Sequence, residues 1–420
     1  ISKEEAKRRQ KEQGVKALRC RFSITRKMPT QDGVKEENKG MVKARLVAQD
    51  LKAINAMPDH LTYAGVPEVS MLRIMVATND RERHRWAATD FDTAFLQSER
   101  YDEEEQIIIV FEDPITNTVM YAILFTPLYG KQDSAKRWQQ TVTKTLTQDM
   151  EMTEIKNCPS TFRHKRKDII MLLYVDDPIV RTTNEEDEDW FFSQLEKRFK
   201  TKGRKRLTPE SPLDYLSITI RTNKRGEVWI GNKEKTNEML EKLETERINE
   251  SWSGIARKDV EGTWDRITKD PDLTRGKYMP QVTGMMGWLA NTVYPYMGTT
   301  SSVLGSMQRA NKEDSQKLTR MVSRLLQASK SYGLTRINDE GVKCQTDAGW
   351  AGERGQGSGP RQSRSGILIT VNGMPVYWSS KRQGAIALLS AEAEMYAGGE
   401  AIKWLKHIVY LLEEIGIHTE

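Results

Sequence analysis

Residues 168–180, DIIMLLYVDDPIV, run from an apolar, strand-forming stretch straight into two adjacent carboxylates, Asp176 and Asp177. Residues 169–175 suit a short buried strand. Aspartate is rarely buried without a partner, so the strand must end where water, a donor or a cation meets the pair. Two carboxylates at one turn repel each other, and a divalent cation is a common remedy. A solvated β-turn serves equally well, because Asp is a frequent turn residue. These residues by themselves do not choose between the two.

With 420 residues the chain implies two to four domains. Its apolar fraction of 37% excludes wholesale disorder, and its charged fraction of 30% implies a charge-rich surface. The net charge of +6 is modest, so its distribution carries the information. Residues 197–206, KRFKTKGRKR, hold seven Lys or Arg and no acid, just after the acidic block EEDED at 185–189. The basic run suits a phosphate backbone, although a solvated face of like charges explains it as well. Cys20, Cys158 and Cys344 are too scattered for a disulfide framework or a zinc site of ordinary spacing, which points to a reducing compartment. No apolar run approaches the roughly 20 residues of a membrane span, and the charged start lacks a signal peptide's apolar core. The first residue is Ile rather than Met, so the expectation is a piece of a longer chain.

Along the chain, MVKARLVAQD at 41–50 alternates as a strand and puts Lys43 and Arg45 on one face, where they could clamp a triphosphate or simply snorkel from an edge strand. Residues 70–85 read as a helix with Ser70 as N-cap. In HRWAATDFDTAFLQS, residues 86–91 are strand-like and Thr93 to Gln97 begins a helix. Asp90 then lies near a strand end, Asp92 suits an N-cap, and Phe95 reads as core. PLYGKQDSAKRW turns at Pro127 and Gly130 into a helix through residue 150, with Gln132, Lys136 and Arg137 as nucleic-acid candidates, although one Gly makes no phosphate loop. A helix at 189–199 leads into the basic run. LDYLSITI at 213–220 alternates as a strand, followed by a turn at 223–226 and a charge-laced helix from Lys233. Residues 248–275 read as a linker, and 278–331 as two or three packed helices. The last segment gives strands, a hairpin turning at Asn372-Gly373 and an amphipathic helix, with Asp347 at a strand end and Glu392 and Glu394 at a helix start. The glycine-rich ERGQGSGPR between them reads as a flexible loop.

Taken in order, KARLVAQD, TDFDTAFLQ, PLYGKQDSAKRW, YVDD, LDYLSITI, YMPQVTGMMGWLANTVYP, KLTRMVSRLLQASKSYGL, TDAGWAG, SRSG, VYWSSKRQ and LLSAEAEMYA resemble the reverse transcriptase and ribonuclease H part of copia-type long-terminal-repeat retrotransposon polyproteins. The resemblance implies an α+β multidomain chain: a right-hand polymerase with fingers and palm at 1–222, a thumb-like segment and linker at 223–275, a helical connection at 276–338, and a partial ribonuclease H-like α/β domain at 339–420. It implies an RNA-directed and DNA-directed DNA polymerase whose partners are a primed RNA or DNA template and deoxynucleoside triphosphates, in an intracellular setting, either a cytoplasmic particle or the nucleus, without a membrane. A homodimer, or association with other parts of the polyprotein, is compatible with it.

By the same resemblance Asp90, Asp176 and Asp177 form the polymerase site. Carboxylates are the residue type needed, because two-metal nucleotidyl transfer requires hard oxygen ligands for two Mg²⁺ ions, with Mn²⁺ as a substitute. Lys43 and Arg45 fall in the fingers against the incoming phosphates, Phe95 takes the place of the aromatic gate against a ribose 2′-hydroxyl, and Gln132 is a nucleotide contact displaced by one residue from the family's pattern. Asp347 and Glu394 match the first two metal-binding carboxylates of the nuclease, with Glu392 a helix-start acid. The family's next aspartate would fall beyond Glu420, which implies an incomplete nuclease. Pro178 stands where the family has an aliphatic residue, Ser217 where it has glycine, and Gly349 where it has a second acid. The rival reading is a catalytically inactive or domesticated remnant that still binds nucleic acid. A two-metal nuclease alone lacks a carboxylate.

Overall fold

A computed structural model describes residues 1–14, 17–26, 42–53, 56–242, 278–306, 312–337, 339–353 and 362–418. The expected linker at 248–275 and all but the first residue of the glycine-rich loop at 353–361 lie outside them. The chain forms two compact units that alternate along the sequence: Ile1–Pro67, Thr89–Pro178 and Asp189–Arg204 in the first; Glu68–Ala88, Ile179–Glu188 and Lys205–Glu420 in the second.

In the first unit the strand Val42–Ala48 pairs antiparallel with Leu18–Arg26, which continues to Ile107–Glu112 and Val119–Leu124. Cys20, Ala48, Ile109, Leu124 and Leu128 fill one side of this sheet. A further antiparallel set joins Met152–Glu154, Thr161–His164 and Ile170–Tyr174, the last of which is the apolar stretch that precedes Asp176. The helix Ser134–Gln148 buries Trp138, Thr141, Val142, Thr145 and Leu146, the i, i+3, i+4 spacing of an amphipathic helix. The helix Glu185–Arg198 has Glu185, Glu186, Asp187 and Glu188 in its first turn and Lys197 and Arg198 in its last, so the acidic block and the start of the basic run both complement the helix dipole.

The second unit holds a helix shorter than the sequence suggested. It spans Val69–Ala77 with Glu68 as N-cap, and the Ser70 hydroxyl donates to the Glu68 carboxylate at 2.7 Å instead of capping. The helix stops because Thr78 Oγ1 bonds back to the Ile74 carbonyl at 2.7 Å and Asp80 Oδ1 accepts the amides of Glu82 and Arg83, closing a turn. LDYLSITI is likewise not one strand. Leu213–Tyr215 and Ile218–Thr222 pair antiparallel about Leu216 and Ser217, with φ of 54° and 59°. Two left-handed residues in a two-residue loop make a type I′ turn, which explains why glycine would suit position 217. This hairpin continues into Val228–Gly231 and Gly333–Thr335.

The remaining sheet of this unit, Val342–Glu353, Gln362–Val371 and Met374–Arg382, is antiparallel and turns at Asn372-Gly373 as expected. Its central strand alternates half-buried and buried residues throughout, and the helix Ser390–Glu414 packs against it. Arg73 ties this sheet to the helices. It is 4% exposed, stacks over Trp378 at 3.8 Å, and donates to the carbonyls of Asn291, Thr292 and Val376. The first two are the C-terminal carbonyls of the helix Tyr278–Thr292, where a cation complements the dipole. Burial pushes the Arg73 guanidinium down to about 9, still above neutrality, so its charge is carried by carbonyl dipoles and a ring instead of a carboxylate. Asn372 Nδ2 donates to the Ala77 carbonyl at 3.0 Å, and His407 meets Glu68 at 3.0 Å. Among the described residues no helix is long and apolar enough to cross a membrane.

Candidate active site

The apolar strand Ile170–Tyr174 ends in a two-residue turn, Val175-Asp176, and the chain returns as Asp177–Thr182. Val175 carries φ 54°. For a β-branched residue the left-handed region costs about 1–2 kcal/mol. The turn is held from below, where Trp138 Nε1–H donates to the Val175 carbonyl at 2.6 Å. Asp176 is half-buried and Asp177 exposed. Pro178 removes one donor from the returning strand, yet its carbonyl accepts the Thr89 amide at 3.3 Å, so the strand forms around it.

Asp90 lies beside this turn, because the Phe91 amide donates to the Asp176 carbonyl at 2.9 Å. The basic run zips onto the other edge of the same segment. The Asp92 amide donates to the Lys200 carbonyl at 3.0 Å, and the Lys202 amide to the Asp90 carbonyl at 2.9 Å. Period-two alternation then puts both lysines against acids: Lys202 Nζ is 2.6 Å from Asp90 Oδ1 and Lys200 Nζ 3.1 Å from Asp92 Oδ2. Asp92 is therefore an ion-pair partner and not a helix cap. Residues 94–97 form only a short 3-10 turn, capped by Thr93 with φ 53°. Gln97 closes the zip, its amide nitrogen on the carbonyls of Asp92 and Lys200 and its oxygen accepting the Lys200 amide.

Tyr129 forms the opposite side. Gly130, with φ 85°, brings the chain so close to the strand Val42–Ala48 that a Cβ would lie 2.2 Å from the Ala48 carbonyl oxygen. The Tyr129 carbonyl accepts the Ala48 amide at 2.7 Å. The Tyr129 ring lies 4.9 Å from Phe95 and 5.5 Å from the exposed Arg45 guanidinium. Burial raises the Tyr129 hydroxyl, Asp176 and Asp90 push the same way, and Arg45 and Lys202 oppose them. One phenol thus feels two acids and two bases predicted from separate stretches or missed altogether. Lys43 sits two residues from Arg45 on the same strand, opposite Thr25. The Gln132 amide nitrogen donates to the buried Asp50 at 3.1 Å and its oxygen accepts the Met57 amide at 3.5 Å.

Asp90 and Asp176 supply hard oxygen donors on adjoining segments, and the Lys202 ammonium shows that a cation is held at Asp90. Among the described residues no three His, Cys, Asp or Glu side chains gather into a group that could hold a metal alone. The pair fits a divalent cation in donor type, with further oxygens to come from a phosphate ligand or water.

In the second unit Asp347 is an exposed residue of its strand, opposite Gly366. The Glu394 carboxylate accepts the amide of the adjacent Ala348 at 3.1 Å. Glu392 accepts the Leu388 amide at 2.7 Å and the Tyr396 hydroxyl at 3.0 Å, a helix-start role as expected.

Three residues of this cluster, Trp138, Tyr129 and Lys202, carried no signal of their own in the sequence. Trp138 fell in the expected helix without a role of its own, and it is buried there. Lys202 was hidden in a run whose bases all looked alike, and its backbone bond and ion pair to Asp90 single it out.

Residues 10–253, more than half the chain, match the family profile described as reverse transcriptase (RNA-dependent DNA polymerase). The chain is similar to the retrovirus-related Pol polyprotein from transposon TNT 1-94 of Nicotiana tabacum, at 23% identity over 90% of this chain and 28% of that protein. It is similar to the corresponding polyprotein from transposon RE2 of Arabidopsis thaliana, at 22% identity over 96% of this chain and 26% of that protein. The chain thus spans under a third of the length of these curated relatives. In fold it resembles a foamy viral protease-reverse transcriptase solved in complex with double-stranded DNA, with a TM-score of 0.50 and 14% identity over 95% of this chain and 59% of that one.

Proposed function

Because the chain belongs to the reverse transcriptase (RNA-dependent DNA polymerase) family, we propose that it is the polymerase part of a copia-like polyprotein and extends a primer with deoxynucleotides on an RNA or DNA template. The observation that carries this reading is the placement of Asp90 beside the turn that bears Asp176, with Lys202 paired to Asp90 and Arg45 over the Tyr129 ring. Asp90 and Asp176 would hold the divalent cations, Mg²⁺ in ordinary use, with exposed Asp177 in support. Such ions, when bound, supply Lewis-acid activation of the primer hydroxyl and charge neutralisation at the phosphates. Arg45 and Lys43 offer a guanidinium fork and an ammonium for the incoming triphosphate. Phe95, packed on Tyr129, gives a wall against which a ribose 2′-hydroxyl would be crowded. In this reading the four-stranded sheet with Lys43 and Arg45 belongs to fingers, the segments bearing the carboxylates to a palm, and residues 223–275 to a thumb-like part.

We assign Gln132 no direct nucleotide contact, since its amide is engaged by Asp50. Asp347 and Glu394 are proposed as the retained part of a ribonuclease H-like site, supported by the bond from Ala348 to Glu394. The deciding experiment is primer extension by the purified chain on an RNA template with Mg²⁺. Incorporation that falls to background in Asp176→Asn is expected. A wild-type chain that binds primer-template in a salt-sensitive way, retains that binding in Asp176→Asn and never extends would replace the enzyme with a nucleic-acid-binding remnant.

A further inference from the structure

Three aromatic rings lie directly behind the carboxylates. Phe91, Trp138 and Phe199 are each about 1% exposed and meet edge to face, with centroids 5.0 Å apart for Phe91–Trp138 and 5.3 Å for each of the other two pairs. Each belongs to a different segment of the site. Phe91 follows Asp90, Phe199 precedes the lysine zip, and Trp138 reaches the turn that presents Asp176 through the bond from its indole N–H to the Val175 carbonyl. Rings alone would hold the segments together without fixing that turn. The indole N–H is a directional contact, and it falls on the one residue of the hairpin turn with a left-handed backbone and a branched side chain.

We propose that Trp138 is a positioning residue: its N–H holds Val175 in the left-handed conformation and so sets Asp176 beside Asp90. The proposal rests on the polymerase reading for its kinetic consequence and on the geometry alone for its structural one. A functional constellation tolerates only about 0.5 Å of misplacement. A Val175 relaxed into the β region would re-aim the next residue. Phenylalanine at 138 keeps a ring in the cluster but cannot donate. Glycine at 175 adopts φ 54° at no steric cost and needs no such hold.

Trp138→Phe, Val175→Gly and the double variant are compared with the wild type by steady-state primer extension, by melting temperature, and by hydrogen exchange over a peptide spanning residues 172–179. In Trp138→Phe, kcat is expected to fall at least tenfold with the KM for deoxynucleotide within twofold, and the turn peptide to exchange at least threefold faster. Measured against Val175→Gly, adding Trp138→Phe should cost less than threefold in kcat. Unchanged kcat in Trp138→Phe overturns the proposal, as does an equal loss in both backgrounds, which would mark a merely structural tryptophan. If the wild type itself never extends, the polymerase reading fails and exchange decides alone: a turn no faster in Trp138→Phe overturns the clamp, and a faster one upholds it.

Discussion

Lys202 and Asp90 form an ion pair whose members are 50% and 38% exposed. Pairs of that exposure contribute about 0.2–1 kcal/mol. The ammonium therefore contests the carboxylate without blocking it. Lys202→Met should tighten Mn²⁺ binding to the nucleotide-free protein by up to about fivefold, read as loss of the free-ion signal in electron paramagnetic resonance. Weaker binding in the variant would mean that Lys202 helps to organise the carboxylates and does not compete at them. This pairing was not legible in the sequence, where Lys200, Lys202 and their neighbours form one undifferentiated basic run. The place of the carboxylates was legible, because an apolar strand that stops on two acids predicts a turn there, and that is where Asp176 meets the segment of Asp90. Gln132 was named as a nucleotide contact, and what the sequence did not show is that its amide nitrogen donates to Asp50.

Among elements, those with a clean period were the easiest to read. The strand Gln362–Val371 alternates faces along its whole length, and the helix of Trp138 keeps its apolar stripe. The hairpin at Leu216-Ser217 was not read, since the alternation of LDYLSITI runs through the turn without a break and the one signal was the glycine that the resembled family carries at position 217. The helix Val69–Ala77 was overextended for the opposite reason: Thr78 and Asp80 end it through side-chain bonds that a periodic pattern does not register. Ser217, at φ 59°, bears a left-handed cost that glycine does not. Ser217→Gly is expected to stabilise the protein by about 1 kcal/mol, seen as a higher denaturant midpoint at unchanged slope. A lower midpoint would mean that the serine side chain contributes more than its backbone costs.

At the scale of the whole molecule, the sheet of Val342–Glu353, Gln362–Val371 and Met374–Arg382 belongs to the second unit and contributes to its interior. Arg73 needs the Val376 carbonyl and the Trp378 ring, and Ala77 needs Asn372. A chain ending at Ile337 would leave Arg73 buried beside only two of its three acceptor residues, and unsupported buried charge typically costs about 3–5 kcal/mol. Such a chain should melt at a lower temperature and be cleaved by protease within residues 68–88 where the full chain is protected. Equal melting and equal protection would show that the sheet adds nothing to this interior.

Arg73 also sets a schedule. Its partner Val376 lies 303 residues later, so at ~5–20 residues per second the ribosome takes roughly 15–60 s to deliver that partner. The first unit has all its segments once Arg204 has been made. During the interval the nascent chain carries every segment of the first unit together with an apolar helix whose arginine still awaits its Val376 acceptor.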